Sequence, residues 1–135
     1  MRVAVPQVVV PLAALDRSTL GALAFARSIS PDVTAVHVTS DAASAERMRR
    51  RWAVRNDGIA LVIVESQRGG VVRRLLDYLD ERERTDPERP VAVVLAQLVP
   101  RRMWSHLLHD QTSVRLKLRL FFRPNTVVVD VPYHL

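Results

Sequence analysis

The sequence has 135 residues and no cysteine, which excludes a disulfide framework and any zinc site built on thiolates. It also lacks a long hydrophobic run. Its apolar strings, such as Gln7 to Leu12 and Ile59 to Val64, fall far short of the ~20 residues a membrane helix needs. The start, Met1-Arg2-Val3-Ala4-Val5-Pro6, has neither the apolar core nor the small-residue cleavage site of a secretory signal. The fragment therefore reads as neither exported nor membrane-spanning. Glycine is scarce, at 4 residues, and no GxxxxGK[ST] or GxGxxG phosphate loop occurs. No GxSxG elbow is present either, and the adjacency of Ser105 and His106 does not by itself orient an imidazole towards a hydroxyl. No catalytic residue is assigned. Lysine is nearly absent too: Lys117 stands alone among 20 basic residues.

What is present describes one ordinary globular domain. The length fits a single unit of ~100–200 residues, able to bury ~65–70% of the surface of the unfolded chain. A formal net charge of +6 concentrates anions near the surface without choosing among nucleic acid, a phosphate ligand and inner-leaflet lipid. A GC-rich genome would produce the arginine bias with no functional meaning, although guanidinium is also the better bidentate phosphate ligand. The densest basic run, Glu46-Arg47-Met48-Arg49-Arg50-Arg51-Trp52, could meet phosphates, DNA or anionic lipid. On a helix it spreads its arginines over more than one face and reads as a solvated exterior. Nothing resembles a DNA-reading module.

Strand and helix patterns alternate along the chain. Gln7 to Leu12 is a β-branched run, Asp16 can cap a helix, and Ala22, Phe25, Ala26 and Ile29 fill one helical face before Ser30-Pro31-Asp32 ends it. Val33 to Val38 reads as a second strand, and Asp41 can cap a helix striped by Ala45, Met48 and Trp52 and closed by Asn56-Asp57-Gly58. A third strand, Ile59 to Val64, leads to a helix with Val72, Leu75, Leu76 and Leu79 on one side; Thr85 to Pro90 breaks it, and Val91 to Leu95 is strand four. Strands joined through helices predict right-handed crossovers and an open parallel α/β sheet with helices on both faces. Nearly continuous apolar strands agree with burial on both faces. Residues 113–123 fit two patterns: Val114, Leu116, Leu118 and Leu120 alternate as in a strand, whereas Val114, Leu118, Phe121 and Phe122 share a helical face. Thr126 to Val131 is a final strand.

Ligands of open parallel sheets sit at the carboxyl ends of the strands, which directs attention to the loops Leu12 to Asp16, Thr39 to Asp41, Ser66 to Gly70 and Ala96 to Thr112. Gly69 and Gly70, beside Ser66 and Arg68, could offer bare amides and a guanidinium to a phosphate oxygen; the bland reading is a turn that needs positive φ. Arg101, Arg102, His106, His109, Asp110, Gln111 and Thr112 form the densest polar cluster. His106 and His109 could face one metal, but no third ligand is spaced with them, so capping and surface hydrogen bonding is the default and no metal site is assigned. The terminal strand, with Val127, Val128, Val129, Val131 and Tyr133, would invite pairing with another chain if it lies at a sheet edge.

Several strings together, VVVP, ARSISPDVTAVHV, LVPRRMWSHLLHDQT, LKLRLFFRP and NTVVVDVPYHL, resemble the cytosolic C-terminal domain of bacterial APC-superfamily permeases, a group of amino-acid permeases and relatives of KUP-type potassium importers. The resemblance covers nearly all of residues 7–135. It implies a universal-stress-protein-like fold (adenine nucleotide alpha hydrolase-like) with five parallel strands, a helix over 113–123, and a homodimer at the cytoplasmic face of the cell membrane. Met1 to Pro6 would be a linker stub from the transmembrane part of the same permease, and residues 7–135 a single domain. It further implies a regulatory, non-enzymatic role needing no cofactor, with cyclic di-AMP or another adenine nucleotide as a ligand. Arg68, Arg101 and Arg102 would then compensate phosphate charge, Ser66, Gly69, Gly70, Gln111 and Thr112 would hydrogen-bond, and the sheet end near Val38 would take the base. The resemblance does not extend to the ATP motif of universal stress proteins: Leu12-Ala13-Ala14 replaces the early aspartate, and Ala96-Gln97-Leu98-Val99-Pro100 has no glycine. The alternative is a purely structural dimerisation domain with no ligand.

Overall fold

The computed structural model describes residues 5–12, 14–55, 58–65, 71–96 and 125–131. Eight elements follow in the order β1 (Gln7–Leu12), α1 (Arg17–Ile29), β2 (Val33–Thr39), α2 (Ala42–Ala53), β3 (Ala60–Glu65), α3 (Val71–Thr85), β4 (Val91–Ala96) and β5 (Thr126–Val131). The strands form one sheet in the order β3-β2-β1-β4-β5, and every pairing is parallel. The α/β architecture expected from the alternation of patterns is thus observed. The segment at 113–123, the cluster from Arg101 to Thr112, the loop from Ser66 to Gly70, and Tyr133 lie outside the described residues.

The period-two alternation of side chains builds two cores. Val8, Val10 and Leu12 of β1 join Val33 and Ala35 of β2, Ala92 and Val94 of β4, and Ala22, Leu23, Ala26 and Met48 of α1 and α2. On the opposite face Val9, Val36, Val91 and Val93 pack under Leu75, Leu76 and Leu79 of α3. The strands therefore read as continuous apolar runs because alternate residues serve different cores. Leu79 is fully buried, so its truncation to alanine belongs to the ~2–5 kcal/mol class of core cavities.

Helix boundaries follow local chemistry. Asp16 and Thr19 form a capping box at the start of α1, with the Asp16 carboxylate accepting from the Thr19 N–H at 2.9 Å and the Thr19 hydroxyl accepting from the Asp16 N–H at 2.8 Å. Asp41 caps α2 by accepting from the Ala43 N–H at 2.9 Å. The second helix ends at Ala53, with Val54 as its C-cap, earlier than the turn at Asn56-Asp57-Gly58 predicts. The Trp52 indole fixes this end by donating to the Ile59 carbonyl at 3.0 Å, and Gly58 has a φ of 75°, a region glycine enters without a Cβ penalty.

At the amino ends of the strands a charged network ties three segments together. Arg89 donates through Nη2 to Asp32 at 2.7 Å and through Nε to the Val5 carbonyl at 2.8 Å, while Arg82 lies 3.8 Å from the other Asp32 oxygen. Arg82 also stacks over Tyr78, whose hydroxyl pKa is raised, chiefly by burial, against the opposing pull of the Arg82 charge and the Thr34 hydrogen bond. The ionic groups are partly shielded from water, so this network outweighs an ordinary surface pair. Arg89→Ala is expected to cost about 1–3 kcal/mol. A double-mutant cycle with Asp32→Ala in urea denaturation should return a clear coupling energy, and strict additivity would show that the pair contributes nothing.

Candidate functional site

Strand order reverses at β1: β2 and β3 extend the sheet to one side, β4 and β5 to the other. Crevices in open α/β sheets form at such switch points, beyond the carboxyl ends of the strands. Here the strand register shows where the two halves of the sheet part. Pairing of β1 with β4 stops at Val9↔Val93, whereas β1 stays paired with β2 as far as Leu12↔His37 and β4 with β5 as far as Ala96↔Val131. Val10, Pro11 and Leu12 thus part from β4 over the last three residues of β1. Pro11 has no N–H to give to a ladder, which favours the opening at this place.

The floor of the site on the α3 side is apolar. Val38 of β2 stands opposite Val64 of β3, and both, with Leu95 of β4, are half-buried members of the α3-side core. Pro11, two residues beyond Val9 and also half-buried, shares that face by alternation. Four strands therefore present a strip of partly exposed apolar side chains at their carboxyl ends, a surface suited to a planar base or other flat apolar group. Val38 is the one predicted ligand residue among the described residues; Ser66, Arg68, Gly69, Gly70, Arg101, Arg102, Gln111 and Thr112 lie outside them.

The opposite rim is polar and already satisfied. His37, buried in the middle of β2, bonds through Nδ1 to the Leu12 carbonyl at 2.9 Å and faces the Ser44 hydroxyl through Nε2 at 3.3 Å. A carbonyl only accepts, so Nδ1 carries the hydrogen. This histidine joins the end of β1 to the first turns of α2 and is a positioning group that pattern reading missed; its one signal was a polar residue inside VTAVHVT. The N-termini of α1 and α2 meet this end of the sheet with Asp16 and Asp41 on their N–H groups. Burial raises the Asp16 pKa, but the Ser18 hydroxyl and the Thr19 amide and hydroxyl donate to the carboxylate and hold it below its ordinary value. Both helix ends are thereby closed to a phosphate, which would meet a carboxylate in place of free amides. Among the described residues no group of His, Asp and Glu is arranged to hold a metal.

Of the predicted pairing residues, Val127, Val128, Val129 and Val131 lie on β5, at an edge of the sheet among the described residues. Val129 and Val131 pack against the α1/α2-side core and Val128 against the α3-side core, while Val127 is 54% exposed. Phe25 and Ile29 of α1, placed by sequence on the buried stripe, are instead about two-fifths exposed, at 38% and 42%. The buried stripe runs through Ala22, Leu23 and Ala26, which turns Phe25 and Ile29 to the flank of α1.

These features define an open, doubly wound α/β domain with a switch point at β1 and, among the described residues, β5 at an edge of the sheet. The chain belongs to the family of KimA potassium transporter C-terminal domains, whose profile matches residues 2–133. It is also 30% identical over 129 residues to the potassium transporter KimA of Bacillus subtilis (strain 168), a match that covers 94% of this chain and 21% of that protein. The chain thus spans about a fifth of the length of that relative. Of the two permease branches that the sequence strings resemble, the match lies with potassium transport, and the family is one of transporter domains and not of enzymes. No helix among the described residues is long and apolar enough to cross a membrane.

Removing the α1 cap tests the local electrostatics. Asp16→Ala should cost about 0.5–2 kcal/mol. Because the folded carboxyl titrates below its unfolded value, this stabilisation is present above the unfolded pKa and fades as pH falls through the folded one. Urea melts from neutral pH down to about pH 3 should therefore show the difference between the two proteins shrinking with acid; a constant difference would place the effect elsewhere.

Proposed function

We propose that this chain is the cytoplasmic-face regulatory domain of a potassium permease, universal-stress-protein-like in fold, homodimeric, and a sensor of an adenine nucleotide such as cyclic di-AMP. The parting of β1 from β4 above a strip of half-buried Pro11, Val38, Val64 and Leu95 carries this reading. A purine needs a flat apolar surface and a few polar contacts at its edge. Such a surface stands at the switch point, on the side away from the Asp16 and Asp41 carboxylates. Phosphate charge would be met by residues that follow β3 and β4 in the sequence, among them Ser66, Arg68, Gly69, Gly70, Arg101, Arg102, Gln111 and Thr112. The transmembrane part of the same permease is the partner that the domain would regulate.

A second reading, a dimerisation domain without a ligand, draws support from the exposed apolar groups Phe25, Ile29 and Val127 beside an edge strand. A two-fold axis there would pair β5 antiparallel with its copy and cover these groups. Both readings share the dimer and separate on the ligand.

Calorimetric titration with cyclic di-AMP, with ATP and cyclic di-GMP in parallel, decides between them. Saturable binding of cyclic di-AMP at micromolar or tighter affinity is expected, with loss in Val38→Glu, whose carboxylate would stand where the base lies. Silence with all three ligands from a folded protein would leave the structural reading. For the dimer, Val127→Glu places a charge at the exposed edge without entering either core, whereas a charge at Val129 would also disturb packing. Sedimentation equilibrium should show Val127→Glu shifting the protein towards monomer, and an unchanged mass would move the contact away from β5.

A further inference from the structure

The charges of this domain are sorted by face. Helices α1 and α2 cover one side of the sheet and together hold six arginines with one carboxylate, Glu46. Helix α3 covers the other side and holds four arginines with four carboxylates. Among the three described helices the excess of positive charge thus lies on the α1/α2 layer, and a layer in which one sign predominates creates a field that a balanced one does not.

Helical spacing fixes which groups lead that layer outwards. In α2 the buried stripe is Ala45 and Met48, with half-buried Trp52; Arg47, Arg50 and Val54 repeat the same spacing two residues later, about 200° round the helix. All three are exposed, Val54 at 86%. In α1 the corresponding outward row is Arg17, Leu20, Ala24 and Arg27, again all exposed. No carboxylate stands in either row. Arg49 and Arg50 reach Glu46 at 3.4 and 3.9 Å, and Arg27 and Arg51 donate to the Pro31 and Leu15 carbonyls, each at 3.1 Å, which leaves Arg17 and Arg47 with no ion pair or hydrogen bond among the described residues.

From this we infer that the α1/α2 layer is an interaction surface for an anionic lipid bilayer, with its arginines at the headgroups and Leu20 and Val54 reaching the acyl boundary. Two helices side by side on a sheet present a broad convex face, and guanidinium groups pair with lipid phosphates through parallel hydrogen bonds. Interspersed aliphatic tips are what a bilayer surface accepts and what an acidic protein groove would have to match one by one. The inference does not rest on a nucleotide, since the α3-side strip lies on the opposite face of the sheet, and the outward rows do not include Phe25 or Ile29 on the flank of α1.

Cosedimentation of the full chain with vesicles tests it. Vesicles of phosphatidylglycerol and phosphatidylcholine in equal parts are expected to bind the protein, and pure phosphatidylcholine is not. Binding should weaken as salt rises from about 0.1 M to 1 M, where the screening length falls from ~10 to ~3 Å. At about fivefold per basic residue, Arg47→Glu/Arg50→Glu should lower partitioning about 25-fold or more. Arg73→Glu/Arg74→Glu, on α3, changes net charge equally and should leave partitioning within about twofold. Circular dichroism confirms that both variants fold. Equal loss in the two variants would mean that total charge governs binding, and absence of vesicle binding, with or without capture by an immobilised acidic peptide, would equally overturn the assignment.

Discussion

Burial of β1 on both faces is the constraint from which the rest of the architecture follows. Val8, Val9 and Val10 are all fully buried, with the outer two facing α1 and α2 and the middle one facing α3. A strand in that position needs a paired neighbour on each side and a helical layer above and below. Right-handed crossovers supply both only when the chain winds away from β1 in one direction and returns past it in the other. The order β3-β2-β1-β4-β5 is that solution. The same reversal that covers β1 creates the switch point, so the candidate ligand crevice is a by-product of satisfying the central strand.

Local signals along the chain were legible, and long-range ones were not. Asp16, Asp41 and the Ser30-Pro31-Asp32 break could be read because caps and turns act within a few residues. The parallel sheet followed from the strand-helix alternation. The parting of β1 and β4 depends on which strand lies beside Pro11, a fact of topology that no local pattern holds. Arg89 likewise gains its role only when the start of β2 and the residues before β1 are brought to it, across 57 and 84 positions of sequence. For α1, a stripe drawn through Ala22, Phe25, Ala26 and Ile29 differs from the true one by a fraction of a turn, because Leu23 completes the buried face and rotates Phe25 and Ile29 off it. The pattern identified the helix correctly and set its rotation wrongly.

Electrostatics divides the molecule along three directions. At the amino ends of the strands, Asp32 and Asp86 balance Arg82 and Arg89 in a partly shielded network, and this end serves stability. At the carboxyl ends, Asp16 and Asp41 are held on backbone amides, with Asp16 kept ionised below its ordinary range. On the outer face of α1 and α2 the arginines have no comparable supply of carboxylates. A positive charge adjacent to a fixed carboxylate loses reach, whereas one facing open solvent keeps it within about a Debye length. Among the described helices the unbalanced positive charge is therefore directed outwards from the α1/α2 layer.

This distribution constrains where an anionic ligand can enter. A phosphate approaching the crevice from the α1/α2 side would be drawn by the arginine layer and then opposed at the rim, where both helix N-termini are occupied by their own aspartates. The α3 side presents the reverse: a charge-balanced helix and an apolar strip at Pro11, Val38, Val64 and Leu95. The two faces accordingly differ in character, with an arginine-rich helical layer on one and a charge-balanced helix beside an apolar strip on the other. His37 spans the sheet end between them by tying the end of β1, where the strip begins at Pro11, to the first turns of α2.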